Sequence, residues 1–197
     1  MDKLLLSYTL EPPNVQRCIM RSILLFTSLV VSSSVLANSD DAYFARSTVK
    51  AFSTDLKNVL VSTMKASGPV TAIEVCNISA PAIALQHSAK EWEISRTSLK
   101  VRNPNNQANE WLNSILLDFE QRKENGEPIA NIEHQEQKAD AWYLVKAIPT
   151  GQACLACHGS ELKPEVKNKL TELYPSDKAT GFNLGDIRGA FVVKKHP

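Results

Sequence analysis

The sequence predicts an α+β fold: a mainly antiparallel sheet with helices packed on one side, preceded by N-terminal helices. Three observations lead there. Apolar residues recur at three- and four-residue spacings through the stretch 42–86. Four later stretches read as strands, around 92–99, 129–135, 141–147 and 187–193. A single long helical pattern is interposed between the first two of them. Helices first and strands later give segregated layers, not the alternation of a parallel α/β sheet.

Each element has its own local cause. In 42–64, Val49, Phe52, Leu56, Val59 and Leu60 make an apolar stripe and leave Lys50, Asp55 and Lys57 for solvent. Gly68-Pro69 ends that helix, and Pro69 can open the next over 70–86. There Ile73, Cys76, Ala80, Ile83 and Ala84 share a face, and Pro81 predicts a kink or break. Asn103-Pro104-Asn105-Asn106 is a turn cluster, and Asn106 or a neighbour caps a helix through Trp111, Ile115, Leu116 and Phe119. Asn125-Gly126 closes it. Trp142, Leu144, Val145 and Ile148 suit a sheet strand. Pro164 opens a short helix with Val166, Leu170 and Leu173, stopped by Pro175.

The N-terminus reads as an export signal over residues 1–37. Arg21 precedes the apolar run from Ile23 to Val31, and Ser34-Val35-Leu36-Ala37 offers small residues for cleavage. Met20-Arg21 makes a better start than Met1, because Glu11-Pro12-Pro13-Asn14 is foreign to a signal. Cleavage after Ala37 leaves one domain over 38–197 in the periplasm. It removes three basic and two acidic side chains from totals of 22 and 21, so the mature domain is charge-balanced. Nothing in that balance suggests a nucleic-acid partner, which would want a basic face. No membrane span is expected after the signal.

Of four cysteines, Cys18 falls in the segment to be lost, leaving Cys76, Cys154 and Cys157. An odd number in an exported chain calls for something other than paired disulfides. Cys154-Leu155-Ala156-Cys157-His158 supplies it: this is the spacing of c-type haem attachment. Two thiols reach two vinyl groups of one porphyrin, and the next residue places an imidazole under the iron. One covalent haem c is therefore expected, with Cys154 and Cys157 as attachment points and His158 as ligand. A thioredoxin-like pair would sit early in its domain and would not need His158. A zinc site would need four ligands, and a second close pair is missing.

The second axial ligand stays open on chemistry alone. Met64, His87, His134 and His196 are the ordinary types available, and Cys76 sits mid-helix on an apolar face where a free thiol also packs as a small hydrophobe. Arg96, Lys100 and Arg102 form a basic turn. Arg96 and Arg102 are candidates to neutralise haem propionates, with a solvated turn as the rival reading.

Several separated motifs resemble one family. They are Ala72-Ile73-Glu74-Val75-Cys76, the run Arg96-Thr97-Ser98-Leu99-Lys100-Val101-Arg102-Asn103-Pro104-Asn105-Asn106, Cys154 through Gly159, and Tyr174-Pro175-Ser176-Asp177-Lys178-Ala179-Thr180-Gly181-Phe182 with Gly185-Asp186-Ile187-Arg188-Gly189. Together they resemble exported single-haem proteins, whose members also serve as sensor regions of histidine kinases and chemoreceptors. The resemblance implies a PAS-like fold and the cysteine at position 76 as distal ligand opposite His158. A thiolate ligand implies a low reduction potential and a bond that can yield on reduction. The expected function is a redox or small-ligand (gas) sensor acting through a signalling partner, with a soluble electron-transfer cytochrome as the alternative. An enzyme ranks last, because no distal acid or base is recognisable.

Overall fold

The computed structural model describes residues 33–197, with side chains from Ser39 onward. The expected signal and the start at Met20 lie outside the described residues, apart from 33–37. The chain divides into Met1–Asn38 and Ser39–Pro197, and the second unit holds the sheet, its packing and the site.

Helix α1 (Ser33–His87) is two helical segments joined at Gly68, whose φ of 80° and ψ of 177° are open to glycine alone. Pro69 then starts the second segment, as expected. Pro81 does not end it: Gly68 is the position inside α1 with non-helical backbone angles. Proline at 81 leaves the carbonyl of Asn77 without its helical donor, and Asn77 is an exposed residue, on the solvent side of the helix.

The remaining elements are β1 (Trp92–Thr97), α2 (Glu110–Glu124), β2 (Glu133–Gln137), β3 (Trp142–Pro149), α3 (Leu155–His158), α4 (Pro164–Leu173) and β4 (Ile187–Lys195). The strands make one antiparallel sheet in the order β1-β4-β3-β2. The α+β class stands. Residues 129–131, expected to begin a strand, form a 3-10 turn after Pro128, and β2 starts at Glu133. The cap of α2 is Asn109, whose side chain accepts from the Leu112 N–H at 2.8 Å. Asn106 instead ends a 3-10 turn capped by Asn103. Replacing Asn109 with alanine should lower stability by about 1 kcal/mol, read by urea unfolding.

The helices cover both faces of the sheet. Period-two alternation sends Trp142, Leu144 and Val193 to one face, where α1 adds Val49, Phe52 and Ile83. Val145, Ala147 and Val192 point the other way, to Ile115, Leu116 and Phe119 of α2. One-sided packing therefore describes α2 alone. The reason lies in β3 and β4, which are apolar on both faces and need two covers. A third, smaller cluster joins Ile73 of α1 to Cys157, Val166 and Leu170.

Among the described residues, by length and composition one helix, Ser39–His87, has an 18-residue window apolar enough to cross a membrane, with mean hydropathy 1.3. This corrects the expectation that no stretch after the signal is long and apolar enough to span a bilayer. The same helix seats Val49, Phe52, Ala72, Ile73 and Ile83 in the interior.

Candidate functional site

The cysteine motif occupies a 3-10 turn (Gln152–Cys154) followed by the single turn α3. The three-residue separation brings Cys154 and Cys157 to one side of that turn. Both are free thiols, as is Cys76. Cys157 is buried and Cys154 half-buried.

The imidazole of His158 is fixed by its other nitrogen. Nδ1–H donates to the Ala179 carbonyl at 2.6 Å, which leaves Nε2 without a proton. The loop that carries Ala179 is tied to the motif itself. Phe182 N–H donates to the His158 carbonyl at 3.0 Å, and Gly181 N–H to the Gly159 carbonyl at 3.1 Å. Phe182 meets the imidazole edge-on with centroids 6.3 Å apart. Burial, then the charges of Arg188 and Arg102, push the His158 imidazole well below its ordinary value, against the opposing bond to Ala179. The ring is therefore neutral at physiological pH.

Two guanidiniums face Nε2: Arg188 Nη2 at 3.2 Å and Arg102 Nη1 at 3.4 Å. Arg102 is held on three further bonds. Its Nε donates to Asp177 at 3.0 Å, and its Nη2 donates to the carbonyls of Cys157 at 2.5 Å and Ala179 at 3.3 Å. Arg96 stands on β1 with its guanidinium 5.8 Å from the Phe52 ring centroid. Cys76 lies one turn after Ile73, on the side of α1 that meets Cys157. Burial raises its thiol, while the positive charges of Arg96 and Arg102 act the other way. Burial likewise raises Cys157.

The structure thus brings together Cys76, Arg96, Arg102, Cys154, Cys157 and His158. It adds Arg188 and Asp177, whose roles the sequence did not reveal, although both stand inside motif stretches. The other histidines are engaged elsewhere: His87 with Asp55 at 2.8 Å, His134 with Glu136 at 3.0 Å and His196 with Glu93 at 3.5 Å. Met64 lies before the Gly68 break, in the first segment of α1.

This residue set fits a haem. Among the described residues no three His, Cys, Asp or Glu side chains converge as a metal-holding group, the arrangement zinc would need. Three guanidiniums are gathered, and the carboxylate among them is Asp177, paired to Arg102. Burial and the repulsion of Arg102 and Arg96 bring Arg188 down to about 10. Such a charge excess in a buried place calls for an anion.

The Tll0287-like family matches residues 25–195. Among solved structures, the crystal structure of the cyanobacterial heme-protein Tll0287 matches with a TM-score of 0.57 at 24% identity, covering 77% of this chain and 94% of that one. That likeness is one of fold. No curated protein matches the chain. With a match spanning nearly all of the sequence after its first residues, the chain belongs to the Tll0287-like family.

Proposed function

We propose that this chain is an exported, periplasmic c-type haem protein in which the ligand from α1 can be switched, so that it serves as a redox or small-ligand sensor. In this reading Cys154 and Cys157 carry the haem covalently, His158 and Cys76 provide the axial ligands, and Arg96 and Arg102 belong to the charged surroundings of the propionates. The observation that carries the reading is the state of His158: Nδ1–H tied to Ala179, and a bare Nε2 turned toward a cluster of guanidiniums in the attachment motif. The name of the structural relative, a heme-protein, lends independent support.

When bound, haem supplies an iron that changes oxidation state and takes two axial ligands. The chain's own residues do the rest. Ala179 holds the proton on Nδ1 and so fixes the ring of His158. Asp177 holds Arg102 against the backbone of the motif. At Cys76 two influences oppose each other, burial favouring the neutral thiol and Arg96 with Arg102 favouring the thiolate. Burial prevails and holds the free thiol above its ordinary value, so the sulfur would ligate as thiolate only where a further positive charge favours it, which suits a switchable ligand.

The test is the visible spectrum of the exported protein, made in a host that matures c-type cytochromes, before and after dithionite. Sharp reduced c-type bands and ferric thiolate charge-transfer absorption are expected. In Cys76→Ala the charge-transfer band should vanish and the reduction potential rise, while the haem stays attached. A wild type whose ligands are identical in both oxidation states and which exchanges electrons fast would make it a carrier instead. Absence of haem absorption would defeat the haem reading. N-terminal sequencing of the mature protein checks export, with Asn38 as the expected first residue.

A further inference from the structure

The ladder between β3 and β4 pairs Ile148 with Gly189 and Pro149 with Ile187. Arg188 is the additional residue, so β4 carries a bulge there. Simple alternation would send Arg188 to the α2 face beside Ala190 and Val192, which lie in that core. The bulge, with Gly189 at a φ of 151°, turns it over. Its guanidinium then meets His158 and stacks 5.1 Å from the Phe182 ring centroid.

The three arginines differ in what is left to them. Arg102 spends Nε and Nη2 on Asp177 and two carbonyls. Arg188 makes one side-chain hydrogen bond, to a ring nitrogen, and Arg96 has its contact with Phe52. Neither Arg96 nor Arg188 has a salt bridge among the described residues. Each presents a planar fork matched to a carboxylate, beside an aromatic ring.

We infer that Arg188 and Arg96 form a two-carboxylate clamp for a flat apolar macrocycle, and that Arg102 is a positioning residue for His158 and its loop. This deepens the haem reading and rests on it for the natural ligand. It assigns to Arg188 a role that sequence placed on Arg102. The bulge is the device that makes the clamp, because it delivers a β4 side chain to the side of the sheet where β1 delivers Arg96.

The haem-free chain is titrated with iron-free mesoporphyrin and with its dimethyl ester, following porphyrin fluorescence. Mesoporphyrin has neither iron for Cys76 and His158 nor vinyl groups for the thiols, so carboxylate recognition is read alone. The diacid should bind roughly tenfold or more tighter than the ester. Arg188→Gln and Arg96→Gln should each bring the two ligands within a few-fold of each other. Arg188→Lys should restore part of the preference, which a merely misfolded chain would not do, and Arg102→Lys should keep it. Equal binding of diacid and ester by the unaltered chain, binding of neither, or a preference untouched by Arg188→Gln overturns the clamp. Loss of preference in Arg102→Lys to the same degree as in Arg188→Gln overturns the division of labour. A diacid preference in a chain that acquires no covalent haem on export would defeat the haem c reading and leave the clamp standing.

Discussion

The double variant Cys154→Ala/Cys157→Ala should carry no covalent haem when exported in a maturing host. On a denaturing gel its haem stain should fall to background, while the wild type keeps its stain after boiling. The single variants are informative too. Cys154 is half-buried and Cys157 is packed with Ile73, Val166 and Leu170, so losing Cys157 should also cost stability. A thioether requires the sulfur itself, and no neighbouring side chain can replace it. Cys76 stays available in the double variant, which separates attachment from ligation: any haem left should be extractable by acid and organic solvent. A stain that survives in the double variant would overturn the assignment of the motif.

The second large effect concerns Gly189. A Cβ at this position would lie 2.2 Å from the carbonyl oxygen of Thr97 and 3.0 Å from the Ser98 Cβ. The first of these is backbone of the paired strand and cannot swing away. Its φ of 151° is also a conformation that residues with a side chain rarely adopt. Gly189→Ala should therefore part β1 from β4 and cost about 3 kcal/mol or more. For a domain of this size that lowers the midpoint of thermal unfolding by roughly 10 °C. Gly181→Ala is the control. Its φ is 74°, but nothing lies within 4 Å of the added carbon, so backbone strain acts alone and about 1 kcal/mol is expected. Equal melting of the two variants would show that the close approach of β1 to β4 is not what position 189 protects.

How much could be read beforehand depended on whether the cause was local. The helices were legible because Val49, Phe52, Ile115, Leu116 and Phe119 repeat at the period of the helix itself. Gly68 was legible as a break, since its conformation is a property of one residue. Pro81 did not break the helix, and residue 77, whose carbonyl it frees, is exposed. The second cover of the sheet was hidden in plain composition. Leu144-Val145 and Val192-Val193 put an apolar residue on each face, and that pattern asks for two layers.

The same distinction runs through the site. The five residues from Cys154 to His158 announce themselves because the attachment chemistry proposed for them would act over a few bonds. Arg96 and Arg102 were recognisable as cations but not in their division of labour. That depends on carbonyls at positions 157 and 179, which arrive from other elements. Arg188 was the least legible. Its direction is set by where β3 and β4 fall out of register, and no window of sequence around it carries that information.

The Gly68 joint in α1 has a thermal and mechanical side. Both segments pack on the sheet, and the one after the joint also carries Cys76 toward the motif. Under the proposed ligation, a bond from Cys76 to a group fastened at residues 154–158 is a reversible crosslink closing a loop of about 80 residues. A crosslink of that span withholds on the order of 4 kcal/mol of freedom from the unfolded chain. Releasing the sulfur would return it and leave the rear half of α1 held by its packing and by the contacts of His87 with Asp55 and Glu74 with Lys169. A chemical event at one atom would thereby become a loosening of a long helix, a change that a neighbouring protein can feel without touching the cofactor.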